Sequence, residues 1–167
     1  MSKTIFQTEK REDFQSKIKK IRFNLFPAYR RSGGRVCFLS SDWKEIHIKI
    51  GLDWTTRNYV GSVFGGSIYA ALDPIYMVQL INILGENYVV WDKSAQISFI
   101  KPVKKTVYAR FLLSDDLLEE IKDKIEKEQK YIFDLKVCFE DENQTIYAEA
   151  IKTIYVADRK YYQQRKK

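Results

Sequence analysis

The chain has 167 residues, of which 45% are hydrophobic and 14% aromatic, and its formal net charge is +7. These values predict one folded domain with a sizeable core and exclude a disordered chain. One histidine and two cysteines, with no cysteine pair at metal-ligand spacing, argue against a zinc site. Cys37 and Cys138 lie in apolar stretches and are expected to be reduced thiols of a cytoplasmic protein. Residues 1–13 contain no apolar signal region, so no secretion segment is expected.

An amphipathic helix is predicted over residues 9–25, with Pro27 ending it. The apolar residues that recur at helical spacing are Phe14, Ile18, Ile21 and Leu25. The opposite face is basic. We expect the apolar face to pack on the domain's own surface, and a helix that contacts a membrane surface or a partner is the alternative.

Two strands are predicted next, over residues 35–40 and 43–50. In the second, the isoleucines share one face, while Glu45, His47 and Lys49 share the other. This alternation predicts a half-buried strand whose polar face, including His47, is in contact with solvent.

The stretch from Ser67 to Leu84 is the element around which the chain is organised. Gly61, Gly65 and Gly66 precede it, and Asp73 is its one charged residue. Its apolar residues occupy every side of a helical wheel, which predicts a helix buried on all sides inside a curled sheet. The residues that disfavour a membrane span here are Asp73, Pro74, Gln79 and Asn82.

The second half of the chain predicts four more strands and one more helix. The strands span residues 88–100, 105–113, 130–140 and 145–156. The helix, over residues 115–129, is charged, lies on the surface and is capped by Ser114. Short strands joined mostly by turns predict an antiparallel sheet, so the fold class is α+β in a single domain.

The spacing of five residues resembles a known family. Asn58 stands six residues before Phe64, Gly65 and Gly66 follow Phe64 directly, and Asp73 stands nine residues after Phe64. The pattern is similar to that of acyl-CoA thioesterases of the phenylacetate-pathway type, which have the hotdog fold and carry a His where this chain has Phe64. It is closest to an uncharacterised, thioesterase-like hotdog group.

That group also has a Val-Trp-Asp-Lys motif, found here at residues 90–93. The resemblance covers roughly residues 35–156, the hotdog domain with its surface helix. It implies a curved antiparallel sheet wrapped around one long helix. An N-terminal helix and turn (1–34) and a basic tail (157–167) lie outside it.

The resemblance also implies roles for the residues of that pattern. The Gly65 amide at the helix N-terminus would stabilise the thioester oxyanion, Asp73 would be the general base or the nucleophile, and Asn58 would hold the water or the carbonyl. The residues implied in substrate binding are Phe64, Gly66, Asp92 and Ser94. No cofactor is implied other than a CoA thioester as substrate or ligand, and the partners implied are further copies of the chain, as a homodimer or homotetramer.

The residues themselves leave simpler roles open. Gly65 and Gly66 are also what a tight helix start requires, Asp73 has the alternative of a structural carboxylate, and Asn58 that of a turn residue. Three lysines after the third strand fit either CoA phosphates or a solvated loop: Lys101, Lys104 and Lys105.

Two functions follow from these alternatives. The first is a thioester hydrolase, and the second is a non-catalytic hotdog module that binds acyl-CoA or another lipid-like ligand. The loss of the family's imidazole at Phe64 favours the second. No recognition motif supports nucleic-acid binding, and no stable membrane insertion is expected.

Overall fold

The computed structural model describes residues 4–164, and its elements follow the predicted order with two short helices added. The helices are α1 (Phe14–Leu25), α2 (Pro27–Arg31), α3 (Gly65–Leu72), α4 (Ile75–Leu84), α5 (Asp115–Glu128) and α6 (Arg159–Gln164). The strands are β1 (Arg35–Leu39), β2 (Glu45–Ile50), β3 (Tyr88–Phe99), β4 (Val107–Leu112), β5 (Lys130–Glu140) and β6 (Ile146–Asp158). The added helices are α2 and α6, and α6 lies within the predicted basic tail.

The six strands form one antiparallel sheet in the order β1-β2-β4-β5-β6-β3. The sheet curves around α3 and α4, which bury Ile68, Leu72, Ile75 and Leu80 against it. The predicted α+β class and hotdog fold are therefore confirmed.

The central helix is broken where a single helix was predicted. Asp73 ends α3, and α4 begins after Pro74. Proline has no N–H to donate to the carbonyl four residues earlier, so the helical hydrogen bonding is interrupted there. The prediction of burial on all sides is also wrong for one chain, because Ala70 and Asn82 are exposed and Ile81 is 46% exposed.

Gly65–Leu84 is long and apolar enough to span a membrane, as the core helices of many folded proteins are. Its inner side packs on the sheet.

The helix α1 presents to the sheet the face opposite to the one predicted. The four apolar residues of the predicted face point outwards, while Phe23 packs against the core. With the adjoining Phe26, the exposed set is Phe14, Ile18, Ile21, Leu25 and Phe26. The inner face is polar because it satisfies the edge of β1. The Asn24 side chain donates to the carbonyl of Val36 and accepts from its N–H, at 2.9 and 2.8 Å. Side-chain hydrogen bonds thus take the place of a neighbouring strand along this edge.

The prediction that His47 lies in solvent is wrong, since His47 is fully buried and Glu45 is nearly so. The N-terminal segment covers this face of β2, with Thr4 Oγ1 2.8 Å from His47 Nδ1 and Thr8 donating to Glu45 at 2.7 Å. Glu45 also accepts from Arg110 and lies 2.7 Å from His47 Nε2. The polar residues on this face therefore form a covered, hydrogen-bonded network.

Candidate functional site

The start of α3 carries two unused backbone donors. Among residues 4–164, neither the Gly65 nor the Gly66 N–H donates to another backbone or side-chain group, as is usual for the first turn of a helix. A Cβ on Gly65 would lie 2.9 Å from the Phe99 ring, and one on Gly66 would lie 2.3 Å from the Phe64 ring. A side chain at either position would therefore have to displace an aromatic ring, and both amides lack an acceptor among the described residues.

Asn58 lies in the turn before α3 and holds that turn together. Its side-chain oxygen accepts from the N–H groups of Val60 and Ser62, and its side-chain amide donates to the Ser62 hydroxyl at 2.9 Å. Asn58 also lines a cavity of about 300 Å³ together with Gly65 and Lys101. The structure thus brings Asn58 and Gly65 together, with much of the amide's hydrogen-bonding capacity used by the turn.

Phe64 precedes α3 in extended conformation, and its ring covers Gly66. The side chain is 57% exposed. The position that carries an imidazole in the resembling family therefore presents an aromatic surface without a hydrogen-bond donor.

A buried lysine that was not among the predicted site residues lies at the break of the central helix. Lys152 on β6 has a side chain that is 1% exposed, and its Nζ donates to Asp73 Oδ1 at 2.6 Å. Asp73 itself is 43% exposed, so Lys152 leaves part of the carboxylate open to solvent. Burial tends to lower the pKa of Lys152, but the Asp73 hydrogen bond and the Asp92 charge outweigh it and raise the pKa, so the ammonium stays charged.

Asp92 on β3 is the second carboxylate of this cluster. Its Oδ2 lies 3.4 Å from Lys152 Nζ, while its buried Oδ1 has no hydrogen-bond partner among the described residues. Burial raises the pKa of Asp92, and the neighbouring lysine opposes this only in part. The Lys152 ammonium also lies 5.3 Å from the centre of the Tyr69 ring. We call Asp73, Asp92, Lys152 and Tyr69 the carboxylate cluster.

Ser94 is not part of the carboxylate cluster. A bulge separates it from Asp92, because Asp92 pairs with Ile154 whereas Ser94 pairs with Thr153. Cross-strand partners share a face of the sheet, so Asp92 lies on the inner face with Ile154 and Ser94 lies on the outer face with Thr153.

Period-two alternation along β6 was the signal for Lys152. Ala148, Ala150, Ile154 and Val156 are all buried, and Lys152 occupies the same face. A lysine in such a series requires a partner in the core, and Asp73 was the one carboxylate within the predicted central helix.

The amides at the start of α3 and the carboxylate cluster at its end are separated along the central helix. Asp73 follows Gly65 by eight residues, a rise of about 12 Å at ~1.5 Å per helical residue. The Gly65 amide and the Asp73 carboxylate therefore lie on different turns of the central helix.

Solved structures with the same fold include thioesterases. A protein from Pseudomonas aeruginosa described as a "Probable Thioesterase" has a TM-score of 0.74 and 16% identity, covering 86% of this chain and 95% of that one. A protein of unknown function from Chlorobaculum tepidum has a TM-score of 0.68 and 16% identity, covering 87% and 95%. A thioesterase from Haemophilus influenzae has a TM-score of 0.63 and 15% identity, covering 90% and 96%.

These structural likenesses establish the hotdog fold. No curated protein matches the sequence. One family model matches residues 18–156, most of the chain, and its description is a domain of unknown function. The chain thus belongs to the family named Domain of unknown function (DUF4442).

Proposed function

We propose that this protein is an acyl-CoA thioesterase-like hydrolase. The observation that carries the proposal is the carboxylate Asp73, which the buried Lys152 holds at the break of the central helix. The same helix begins with two amides that have no acceptor among the described residues. A carboxylate and an oxyanion donor are the two groups that thioester hydrolysis requires.

In the proposed reaction, water attacks the thioester carbon while Asp73 takes one of its protons. The carbonyl oxygen becomes an oxyanion, which accepts a hydrogen bond from the Gly65 N–H. The positive end of the helix dipole stabilises its negative charge. When the intermediate collapses, the carbon–sulfur bond breaks and the thiolate of CoA takes up the proton. The products are a carboxylic acid and free CoA.

Lys152 has a positioning role in this proposal. Its hydrogen bond to Asp73 Oδ1, at 2.6 Å, orients the carboxylate, and the exposed part of that carboxylate is available to a water molecule. The family resemblance also implies a water-orienting role for Asp92, and its Oδ1, which has no partner among the described residues, is an acceptor that a bound water would satisfy.

The proposed site is composite, with Asp73 of one chain facing Gly65 of another. The separation of about 12 Å along the helix supports a site that two chains share. The two sheet edges support pairing through β3: side chains of α1 cover the β1 edge, whereas β3 pairs with β6 alone. An open twelve-residue edge strand invites pairing with a second copy, as a dimer or as half of a tetramer.

The proposed location is the cytoplasm. Cys37 and Cys138 are both free thiols, and burial raises the pKa of Cys37 to about 11, so it is unreactive at neutral pH.

The test is release of free thiol from a panel of acyl-CoA substrates. We expect wild-type turnover and a loss of about 100-fold or more in Asp73→Asn, which keeps an acceptor for Lys152 but cannot take a proton. A second variant, Gly65→Pro, tests the oxyanion donor, because it removes the amide proton at the first helical position, where proline is tolerated. Its control is Gly65→Ala, which keeps the amide proton but places a Cβ against the Phe99 ring. A much larger loss in the proline variant than in the alanine variant supports the oxyanion role, and equal losses contradict it.

A non-catalytic acyl-CoA binder is the second candidate. Phe64, in place of the family's histidine, is the observation that favours it, because its ring supplies no polar contact for the thioester. Tight acyl-CoA binding with no turnover of any substrate in the panel would establish the binder.

A further inference from the structure

An apolar cleft opens beside Asp73, between the N-terminal helices and the central helix. It has a volume of about 540 Å³. Cavities that enclose small-molecule ligands usually measure roughly 300–1,000 Å³ and are lined mainly by apolar side chains. This cleft thus has the size and the lining of a site for an apolar small-molecule group.

One wall of the cleft comes from the two halves of the central helix. It consists of Ala70, Asp73, Pro74, Met77 and Val78. The carboxylate of Asp73 is the one charged group on this wall, and apolar surface adjoins it. A ligand whose reacting group lies at Asp73 therefore meets hydrocarbon surface on this side.

The other wall comes from α1 and α2, which precede the predicted hotdog domain. Phe23, Phe26 and Tyr29 line it, with Arg22 as its one charged residue. The Phe23 and Tyr29 rings pack edge to face, with centroids 4.6 Å apart, so this wall is held in place.

We infer that this cleft binds the hydrocarbon chain of a medium- or long-chain acyl thioester whose carbonyl lies at Asp73. The inference rests on the proposed function, since it uses Asp73 as the reacting end. A polar acyl group would lose hydration in the cleft without regaining hydrogen bonds, whereas each buried methylene is favourable. The helices α1 and α2 then determine chain-length specificity.

The first test is the chain-length profile of hydrolysis from acetyl-CoA to hexadecanoyl-CoA. We expect kcat/KM to rise by up to about fourfold for each methylene, the factor that burial of a methylene supplies, until the cleft is filled. A profile that is flat beyond the shortest substrates overturns the inference and leaves the thioesterase intact.

The second test fills the cleft with Ala70→Trp, an exposed cleft-lining position outside the carboxylate cluster. We expect the ratio of kcat/KM for decanoyl-CoA to that for acetyl-CoA to fall about tenfold or more, equivalent to the loss of about two buried methylenes. The matched control is Glu119→Trp, which adds the same side chain at an exposed position on α5 and should leave the profile unchanged. The inference is overturned if Ala70→Trp keeps the wild-type profile, or if it changes only the mass of the oligomer.

A binding measurement separates this inference from the proposed function. If no acyl-CoA is hydrolysed, decanoyl-CoA and CoA are titrated into wild type and Ala70→Trp by calorimetry. Decanoyl-CoA that binds more tightly than CoA to wild type, with the difference lost in Ala70→Trp, supports the cleft without any catalysis. Equal affinities of the two ligands for wild type overturn it.

Discussion

At the scale of single residues, the sheet buries charge on both of its faces, and each buried charge has its own partners. On the inner face Lys152 lies between Asp73 and Asp92. On the outer face Glu45 is held by hydrogen bonds from Thr8, His47 and Arg110. Burial opposes the ionisation of Glu45, but these hydrogen bonds outweigh burial and keep its pKa below the usual range. A buried charge that keeps its partners is tolerated, and one that loses a partner is costly.

Asp73 should be important for stability as well as for the proposed reaction. Asp73→Ala removes the 2.6 Å partner of a buried ammonium, so we expect the free energy of unfolding to fall by about 1–3 kcal/mol. Asp73→Asn keeps an oxygen acceptor and should lose less. Urea unfolding of both variants measures this, with Asp134→Ala as an exposed-carboxylate control. Equal stability of Asp73→Ala and wild type would contradict the assigned ion pair.

The single histidine should make the stability depend on pH. Burial lowers the pKa of His47, although its Glu45 neighbour partly opposes the shift. Below an unfolded-state pKa of about 6.5, the unfolded chain therefore binds a proton that the folded chain does not, and stability falls as the pH decreases. The slope contributed by one group is at most about 1.4 kcal/mol per pH unit.

This slope is measured by urea unfolding between pH 7.5 and 5.5. His47→Gln removes the only histidine and should flatten the slope in that range. A slope of the same size in the variant would show that His47 is not the group responsible.

At the scale of elements, local patterns predicted where the helices and strands lie but not which faces they bury. The strand over residues 130–140 was predicted with its observed bounds, because period-two patterns and turn residues are local signals. The orientation of α1 and the burial of His47 were not predictable, because the β1 edge and the N-terminal segment that decide them are distant in sequence. In the candidate site, the family resemblance implied Asn58, Gly65 and Asp73, whereas the alternation along β6 could mark Lys152 as buried but could not show that Asp73 is its partner.

The inner face of α1 provides a test of its role at the β1 edge. Asn24→Ala removes both hydrogen bonds to Val36 and leaves a backbone N–H and C=O without partners. We expect the free energy of unfolding to fall by about 1–3 kcal/mol. Faster amide hydrogen exchange in β1 should accompany the change.

The matched control is Asn82→Ala, because the exposed Asn82 side chain donates only to a carbonyl of its own helix. That variant should change stability by less than about 0.5 kcal/mol. A loss of equal size in the two variants would contradict the edge-covering role of α1.

At the scale of the whole molecule, the open edge of β3 and the separation of Gly65 from Asp73 both favour a dimer. We expect the two chains to be joined through β3. Lysines introduced on that strand should weaken the dimer, because they place like charges opposite each other on the two paired strands. Ser94→Lys/Gln96→Lys tests this by sedimentation over a concentration range. The control is the double variant Thr153→Lys/Ile151→Lys. These residues are the partners of Ser94 and Gln96 on β6, one strand further from the edge. Equal dissociation of both variants would contradict pairing through β3.

The central claim is that the catalytic site combines Asp73 of one chain with Gly65 of another. The most direct measurement is acyl-CoA hydrolysis by mixed oligomers of two inactive variants, Asp73→Asn and Gly65→Pro. If the chains exchange at random in a dimer, about half of the dimers are mixed, and each has one intact site of two, so about a quarter of wild-type activity should return. If the mixture is no more active than its separate components, although exchange is verified and wild type is active, the two-chain site is contradicted.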